Sequence, residues 1–183
     1  MREDRVTIAP AASSAAAIRY AGSAVDLALA RLLFIEYAQW LKVDLCFQGF
    51  DKELATLPGA YAPPRGRLLL AGTPGEAFGC IALRPLDSDS GCGCGAAAAP
   101  TGASVAEVKR LYVQPAHRGE GWGERLARAV IDEARAIGYR ELKLDTLDWM
   151  SAARALYAGA GFRECAPYYH NPLAGVVYMA LTL

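Results

Sequence analysis

Four segments of the chain carry apolar residues at the spacing of an amphipathic helix. The first begins at Ser23, and its apolar positions, among them Val25, Leu29 and Leu32, carry it to about Trp40. The third has a single apolar stripe and is followed by glycine, the usual residue after a helix C-terminus. The predicted helices cover residues 23–40, 50–57, 121–137 and 148–160.

Six further segments alternate apolar and polar residues or form short aliphatic and β-branched runs, as strands do. They are AAIRYA, RLLLAG, AFGCIALRP, VAEVKRLYV, YRELKLDT and VVYMALTL, and TPGE between the second and third is a hairpin signal. Hairpins come first along the chain, and strands alternate with helices afterwards. This order predicts a mixed α/β fold, with a partly antiparallel and partly parallel sheet flanked by helices.

The length and composition of the chain fit one domain. It has 183 residues, of which 54% are hydrophobic and 21% charged, as in a globular protein. Residues 1–15 are expected to form a flexible N-terminal tail, and the Gly-, Ala- and Ser-rich residues 87–104 a flexible loop. The predicted domain therefore covers residues 16–183.

The charges of the chain argue against two classes of partner. Lysine plus arginine and aspartate plus glutamate each number 19, so no net field favours nucleic acid or an anionic membrane. The N-terminus lacks the apolar stretch of a signal peptide, and Asp26, Arg31 and Glu36 interrupt the most apolar segment. We expect a cytoplasmic protein that binds neither nucleic acid nor membrane.

The five cysteines do not predict a metal site. An odd number of cysteines without an export signal favours free thiols. Cys92 and Cys94 are one residue apart, but no second Cys or His pair follows at zinc spacing, so no metal is expected.

The segment RLYVQPAHRGEGWGERL, residues 110–126, leads from a strand through a glycine-rich turn into the third helix. A P-loop would need Lys and then Ser or Thr after the last glycine, but Glu124 follows Gly123. A dinucleotide-binding GxGxxG sequence would begin with Gly119 and Gly121, but Glu124 occupies its third glycine position. A nucleotide-dependent oxidoreductase stays open as an alternative.

The same residues fit a third pattern, RxxGxG, formed by Arg118, Gly121 and Gly123. Glycines there allow backbone N–H groups to approach a pyrophosphate, and the helix N-terminus and the arginine add positive charge. Between residues 107 and 128 there are five basic residues against three acidic ones. The pattern predicts a diphosphate site that needs no metal.

The segments VKRLYVQPAHRGEGWGERL and, later in the chain, ALYAGAGF together resemble the GNAT superfamily of acyl-CoA N-acyltransferases. The resemblance covers about residues 105–165 and includes the RLYVxP strand, the RxxGxG loop with its helix and the LYxxxGF segment. It implies a single-domain, mostly antiparallel twisted sheet flanked by helices, with a splayed parallel strand pair that binds coenzyme A. It also implies an N-acetyltransferase that uses acetyl-CoA.

By this resemblance the coenzyme lies where the RLYV strand separates from ELKLDT. The pantetheine arm would pair with the backbone of residues 111–113, and the pyrophosphate would lie on the amides of residues 118–123. The cofactor-binding residues implied are Leu111, Tyr112, Val113, Arg118, Gly119, Glu120, Gly121, Trp122 and Gly123.

The resemblance also implies catalytic residues. Tyr157, in LYAGAGF, occupies the position of the tyrosine that protonates the departing thiolate, and Val113 offers its N–H to the carbonyl oxygen. Glu107 lies where many members have a carboxylate that acts as the base through water. The only histidines, His117 and His170, are alternatives for a group that titrates near neutrality.

Acceptor pockets in this superfamily come from the early helices and the late strands. Aromatic rings there suit an amphipathic small molecule or a peptide terminus, and a carboxylate suits an ammonium group. Met150 departs from the family's pattern, because an Asn often stands seven residues before the acid tyrosine. The acceptor-binding residues implied are Glu36, Tyr37, Phe47, Gln48, Tyr61, Tyr168, Tyr169 and Asn171.

Three functions follow from these observations. The predicted one is transfer of the acetyl group of acetyl-CoA to a primary amine of a small molecule, amino acid or peptide by direct attack. The second is a non-catalytic acyl-CoA sensor, which would bind acetyl-CoA without transferring the acetyl group. The third is the nucleotide-dependent oxidoreductase, which would bind NAD. A homodimer is consistent with the superfamily.

Overall fold

The structure is a computed structural model and describes residues 15–43, 49–86 and 105–183. Nearly all of the tail expected over residues 1–15 and the whole loop expected over residues 87–104 lie outside these ranges, as do Cys92 and Cys94. The division of the chain into tail, domain and loop stays a prediction.

Every helix and strand predicted from the sequence is present, with ends that differ by a few residues. Within the described ranges, the elements that were not predicted are the two-residue strand Arg163–Glu164 and the 3-10 turns Gly59–Tyr61 and Pro115–His117, because such short elements leave no periodic pattern. In chain order the elements are β1 (Ala17–Tyr20), α1 (Ala24–Leu41), α2 (Phe50–Thr56), β2 (Arg67–Gly72), β3 (Gly79–Pro85), β4 (Val105–Val113), α3 (Trp122–Ile137), β5 (Glu141–Leu147), α4 (Ser151–Gly159), β6 (Arg163–Glu164) and β7 (Val176–Thr182).

The strands form one sheet in the order β1-β2-β3-β4-β5-β7-β6. β4 and β5 are parallel, and the other neighbouring strands are antiparallel. One parallel pair within a mostly antiparallel sheet, with helices on both faces, confirms the predicted mixed fold.

The sheet lies between two helical layers. Side chains along β2 and β3 alternate between its faces, so Leu69 and Ile81 pack in one core while Leu70 and Cys80 pack in the other. Residues of α3 and α4 complete the first core, and residues of α1 and α2 the second. Both faces are therefore buried, which explains the nearly continuous apolar runs of these strands.

The helix α1 was predicted correctly, but its buried face differs from the apolar stripe that indicated it. Ser23 caps the helix and forms a capping box with Asp26. Leu33 is buried, whereas Val25 and Leu32 are exposed. Because most of the helix is apolar, the sequence does not single out one face. Neither α1 nor any other helix of the described residues is sufficiently long and apolar to cross a membrane.

β4 and β5 pair only near their N-terminal ends. Residues 105–107 lie opposite residues 141–143, and no further pairing joins the two strands among the described residues. Beyond this point β4 follows β3 to Val113, while β5 follows β7 to Leu147. The predicted splayed pair is present, and it opens toward the C-terminal ends of both strands.

A β-bulge in β4 lies beside this opening. Arg110 and Leu111 of β4 lie opposite a single residue of β3, Ile81. Arg110 has a φ of 59°, in the left-handed region that costs a residue with a side chain about 1–2 kcal/mol. Its Nε and Nη2 donate to the two carboxylate oxygens of Glu53 at 2.9 and 2.6 Å, and this bidentate pair offsets the strain.

The substitutions Leu33→Ala and Leu32→Ala make the same chemical change at adjacent positions of α1. Leu33 is 2% exposed and Leu32 is 63% exposed. We expect Leu33→Ala to lower the free energy of unfolding by about 2–5 kcal/mol, because it leaves a cavity, and Leu32→Ala to change it by less than about 0.5 kcal/mol. Urea unfolding measures both, and equal losses would contradict the assigned face of α1.

Candidate active site

A groove of about 650 Å³ lies beside the C-terminal end of β4. One wall is the end of β4 with the glycine-rich turn that follows it, and the other is α4. The fold thus gathers along one groove residues that are spread over the RLYV strand and the RxxGxG turn. Predicted cofactor-binding residues that line it are Leu111, Tyr112, Val113, Arg118, Gly119, Gly121, Trp122 and Gly123.

The glycine-rich turn presents backbone amides at the groove. Gly119 and Gly121 have φ angles of 83° and 79°, which glycine adopts without a steric penalty. Gly121 is also the N-cap of α3, and no side chain caps this end of the helix. The uncapped N–H groups and the partial positive charge of the helix N-terminus suit a diphosphate.

Gly123 lets α3 approach α4 closely beside the groove. A Cβ atom at this position would lie 2.9 Å from Cδ1 of Leu156. A larger residue would displace Leu156 or separate the helices, since protein interiors are close-packed.

Arg118 lies beside the turn with its guanidinium over aromatic rings. Its Nε donates to the carbonyl oxygen of Val113 at 2.9 Å. The guanidinium carbon is 4.7 Å from the ring centre of Trp40 and 5.6 Å from that of Tyr112, within the range of cation–π attraction. These contacts hold a fixed cation next to the backbone amides of the turn.

Glu120 is the one predicted cofactor-binding residue that does not line this groove. Its carboxylate accepts a hydrogen bond from Nε1 of Trp122 at 3.1 Å and lies 3.6 Å from Nδ1 of His117. The side chain therefore braces the turn, and any contact with a ligand would come from the backbone.

A cavity of about 50 Å³ adjoins the groove at the split between β4 and β5. Leu111, Met150 and Ala153 line both spaces, so the two are neighbours. Asp145 and Tyr157 also line the small cavity. A ligand that follows the groove to its inner end would therefore reach a phenol and a carboxylate.

The predicted acid, Tyr157, is 7% exposed, and its ring packs edge-on against Phe162. Its hydroxyl donates a hydrogen bond to none of the described residues. Burial raises the pKa of the Tyr157 phenol, and nearby Tyr37 and Asp145 raise it further. The phenol is therefore protonated at neutral pH.

The predicted base, Glu107, is the centre of a buried ion network. The carboxylate is 1% exposed and lies 2.6 Å from Nη2 of Arg84 and 3.4 Å from Nζ of Lys109. Arg84 contacts Oε2, and the hydroxyl of Tyr168 donates at 2.8 Å to Oε1, the oxygen that Lys109 also approaches. Burial and the charge of Glu107 raise the pKa of the Tyr168 phenol. Donors thus occupy both oxygens, and the role of Glu107 as the base stays a prediction.

Asp145 belongs to the same network but was not selected from the sequence as a catalytic residue. It is 12% exposed, and its Oδ1 accepts from Nζ of Lys109 at 3.0 Å. Its Oδ2 accepts from Nδ2 of Asn171 at 3.2 Å. A signal for Asp145 was nevertheless present in the sequence, because charged residues alternate along both strands of the parallel pair. They are Glu107 and Lys109 on β4, and Lys143 and Asp145 on β5.

The sequence also matches known acetyltransferases. The profile of the family described as "Acetyltransferase (GNAT) family" matches residues 34–162, well over half of the chain. The chain belongs to the GNAT family.

Individual relatives agree with this assignment. An uncharacterised N-acetyltransferase of Schizosaccharomyces pombe is 40% identical over 86% of this chain and 89% of its own length. An acetyltransferase from Streptococcus agalactiae has a TM-score of 0.69, with 19% identity, 92% of this chain covered and 98% of the other. A GNAT family acetyltransferase from Elizabethkingia anophelis with acetyl-CoA bound has a TM-score of 0.57, with 21% identity and coverages of 92% and 98%. At these identities the two structures support the fold alone.

Membership of the GNAT family confirms the predicted enzyme class and acetyl donor. The chain is an acetyltransferase that uses acetyl-CoA. The residues present fit this coenzyme, because the N-terminus of α3 is uncapped and the space beside Gly119 and Gly121 is open, which leaves room for a phosphate-bearing ligand against the backbone. The oxidoreductase alternative is set aside.

Several predicted acceptor residues of this GNAT enzyme lie around the small cavity or the ion network beside it. Tyr37 lines the cavity. Asn171 donates to the hydroxyl of Tyr169 at 2.9 Å, and the ring centre of Tyr169 is 5.7 Å from Nζ of Lys109. With Tyr168 on Glu107, the YYHNP segment therefore supplies donors to both carboxylates of the network.

The other predicted acceptor residues are engaged elsewhere or lie outside the described ranges. Glu36 accepts from the hydroxyl of Tyr112 at 2.9 Å and from Nε2 of Gln114 at 2.8 Å. Tyr61 is buried in the second core. Phe47 and Gln48 lie outside the described residues. The roles of all the acceptor residues stay predictions.

Met150, which stands where many GNAT members have Asn, lies at the junction of the groove and the cavity. The hydroxyl of Thr146 donates a weak hydrogen bond to its sulfur at 3.6 Å. The position therefore presents an apolar, polarisable side chain to the groove instead of an amide.

Removing the cation at position 118 should weaken coenzyme binding without unfolding the protein. Acetyl-CoA at about 100 times its dissociation constant should stabilise the wild type by about 2.7 kcal/mol. We expect Arg118→Ala to lose most of this stabilisation, measured as a smaller rise in Tm. Arg135→Ala removes an exposed arginine from the last turn of α3 and should keep the full shift. An undiminished shift in Arg118→Ala would contradict its assignment.

The pair of Arg110 and Glu53 should make stability depend on pH. Burial opposes the charged form of Glu53, but the hydrogen bonds and charge of Arg110, with the hydroxyl of Tyr61, hold the pKa of its carboxyl below the usual value. The stabilisation is present above the unfolded-state pKa of about 4.3 and is lost as pH falls through the lower folded-state value.

Denaturant unfolding of the wild type and Glu53→Gln between about pH 7 and pH 3 measures this effect. We expect the variant to be less stable at neutral pH, because it leaves the charge of Arg110 unpaired. The difference in unfolding free energy should shrink below about pH 4. A difference that is the same at every pH would contradict the contribution of the pair.

Proposed function

We propose that this GNAT enzyme transfers an acetyl group to the primary amine of a small molecule, an amino acid or a peptide, by direct attack of the amine on the thioester. The observation that supports this most is the small cavity at the inner end of the groove, lined by both Tyr157 and Asp145. Transfer to an amine needs an acid for the departing thiolate and a group that removes the ammonium proton.

The backbone of β4 and the following turn are proposed to hold the coenzyme. Beyond residue 107 the edge of β4 that faces β5 has no strand partner among the described residues, so its peptide groups are available to a ligand. Residues 111–113 would bind the pantetheine arm, and the N–H of Val113 would stabilise charge on the carbonyl oxygen. Arg118 and the amides of residues 118–123 would bind the pyrophosphate. When bound, acetyl-CoA supplies the activated thioester.

Tyr157 is proposed to protonate the departing thiolate. A phenol has an ordinary pKa of about 10 and a thiol one of about 8.5, so the two acidities are close. Burial raises the pKa of Tyr157, but burial also raises the pKa of any thiol that lies in the same cavity. The transfer therefore stays feasible in the buried site.

The two substrates are proposed to enter from opposite faces of the sheet. Tyr157 belongs to α4 and reaches the cavity from the face that carries the coenzyme groove. Tyr37 belongs to α1 on the other face. An acceptor bound on the α1 side would meet the thioester at the split between the strands, as direct attack requires.

The non-catalytic sensor is the second candidate. It would bind acetyl-CoA without acetyl transfer, but the relatives matched over most of their length carry the name N-acetyltransferase, which favours the enzyme. A cytoplasmic location and a homodimer stay predictions.

Tyr157→Phe removes the proposed acid and retains the aromatic ring. We expect kcat to fall by about 10²–10⁴-fold, while the stabilisation by acetyl-CoA stays unchanged. The assay follows release of the CoA thiol with a panel of primary amines. Tyr20→Phe makes the same change at an exposed tyrosine in β1 and should leave kcat unaltered. An unchanged kcat in Tyr157→Phe would contradict the role of the phenol.

A further inference from the structure

Asp145 lies where an acceptor amine would have to lose its proton. It is two residues beyond the last residue of β5 that pairs with β4, and it lines the cavity together with Tyr157. Lys109 and Asn171 each donate one hydrogen bond to it, one on each oxygen, and the hydroxyl of Tyr169 donates a third. Because a carboxylate can accept about four hydrogen bonds, Asp145 keeps capacity for a ligand.

Glu107, the base implied by the family resemblance, differs from Asp145 in its burial and in its position relative to the cavity, although donors lie on both oxygens of each carboxylate. Its carboxylate is 1% exposed against 12% for Asp145, and it is not among the residues that line the small cavity. Arg84, Lys109 and Tyr168 place donors on both of its oxygens. A proton acceptor must come within hydrogen-bond reach of the amine or of a bridging water, and Asp145 meets this condition better.

Resting on the proposed transfer to an amine, we propose that Asp145 is the catalytic residue that takes the proton of the acceptor ammonium. Lys109 and Asn171 are positioning residues, because they fix the two oxygens of Asp145; Lys109 also lines the cavity, whereas Asn171 is not among the residues that line it. The substrate class is a primary alkylamine that arrives in its charged form.

The charges around Asp145 favour both steps that the amine must undergo. An alkylammonium has a pKa of about 10.4, so fewer than about one amine in a thousand is neutral at pH 7. The carboxylate attracts the ammonium into the cavity. The ammonium of Lys109, 3.0 Å from Oδ1 of Asp145, then disfavours a second positive charge beside it, which promotes loss of the proton.

The protons balance as follows. Asp145 accepts one proton from the ammonium, directly or through a cavity water, and releases it to solvent. The neutral nitrogen forms a C–N bond to the acetyl carbon as the C–S bond breaks, and Tyr157 gives its proton to the thiolate. The second proton lost by the nitrogen restores the Tyr157 phenol. The products are an N-acetylamine, CoA thiol and one proton in solution.

Asp145→Asn tests this role because the amide oxygen still accepts from Lys109. The assay compares ethylamine, which is almost fully protonated at pH 7, with 2,2,2-trifluoroethylamine, which is largely neutral there because fluorine withdraws electrons. We expect the variant to lose about 10²-fold or more in kcat/KM for ethylamine and less than about tenfold for trifluoroethylamine. The ethylamine rate of the variant should also recover about tenfold per pH unit above pH 7, as the neutral amine fraction rises.

Three further variants make the comparison specific. Asn171→Ala should give a smaller loss confined to ethylamine, as expected of a positioning residue. Glu141→Gln changes a partly exposed carboxylate at the start of the same strand, outside the residues that line the cavity, and should alter neither rate. An ethylamine-specific loss in Glu107→Gln, with none in Asp145→Asn, would overturn the proposal in favour of Glu107.

A binding measurement separates the remaining outcomes. Acetyl-CoA should raise the Tm of Asp145→Asn as much as that of the wild type, which shows that the variant is folded and binds the coenzyme. Equal losses with both amines would make Asp145 a structural residue and overturn the proposal, and so would wild-type rates in the variant. A wild type that binds acetyl-CoA but acetylates neither amine would overturn the proposed function, and the role of Asp145 with it.

Discussion

The separation of β4 from β5 is the feature on which the site depends. Their backbone pairing ends at Glu107 opposite Lys143. Two residues further along each strand, Lys109 and Asp145 form an ion pair of 3.0 Å. A side-chain contact therefore continues the link between the strands after the backbone ladder stops, and the backbone of β4 beyond it remains open for the coenzyme. Without that link, a sheet that opens at its centre would lose cohesion where the two strands separate.

The ion pair of Lys109 and Asp145 belongs to a larger network whose charges cancel. Arg84, Glu107, Lys109 and Asp145 alternate in sign and together are neutral. Buried ion pairs contribute little net stability, because desolvation offsets most of their attraction. Their value here is geometric, since each group fixes the next. Arg110 and Glu53 do the same at the bulge, where the ion pair holds a left-handed residue that redirects β4.

Local patterns in the sequence predicted most elements of this fold, and long-range contacts account for the rest. The boundaries of β2 and β4, the glycine-rich turn and α3 could be read from short segments, because capping, turn chemistry and alternation act over a few residues. The buried face of α1 could not be predicted, because apolar residues occur on most sides of that helix. The bulge at Arg110 could not either, since the partner that offsets its strain is Glu53, which lies in α2, far away in the sequence.

The same distinction applies within the site. Tyr157 and the RxxGxG turn lie in recognisable motifs. Asp145 could be identified only from its contacts with Lys109 of β4 and Asn171 of the segment before β7. Glu107 was selected because it lies where many members of the family have a carboxylate that acts through water. Three-dimensional context shows that the strand beside it presents the more accessible carboxylate.

Asp145 and Tyr157 also influence each other through space, which bears on the order of the proposed proton transfers. Burial is the main cause of the raised pKa of Tyr157, and the negative charge of Asp145 adds to it. In the proposed reaction Asp145 becomes neutral when it takes the ammonium proton, so this part of the increase disappears. The phenol then becomes a stronger acid, at the stage when the thiolate is about to form. Because the electrostatic effect needs no movement of either side chain, deprotonation of the acceptor would itself prepare the acid for the second transfer.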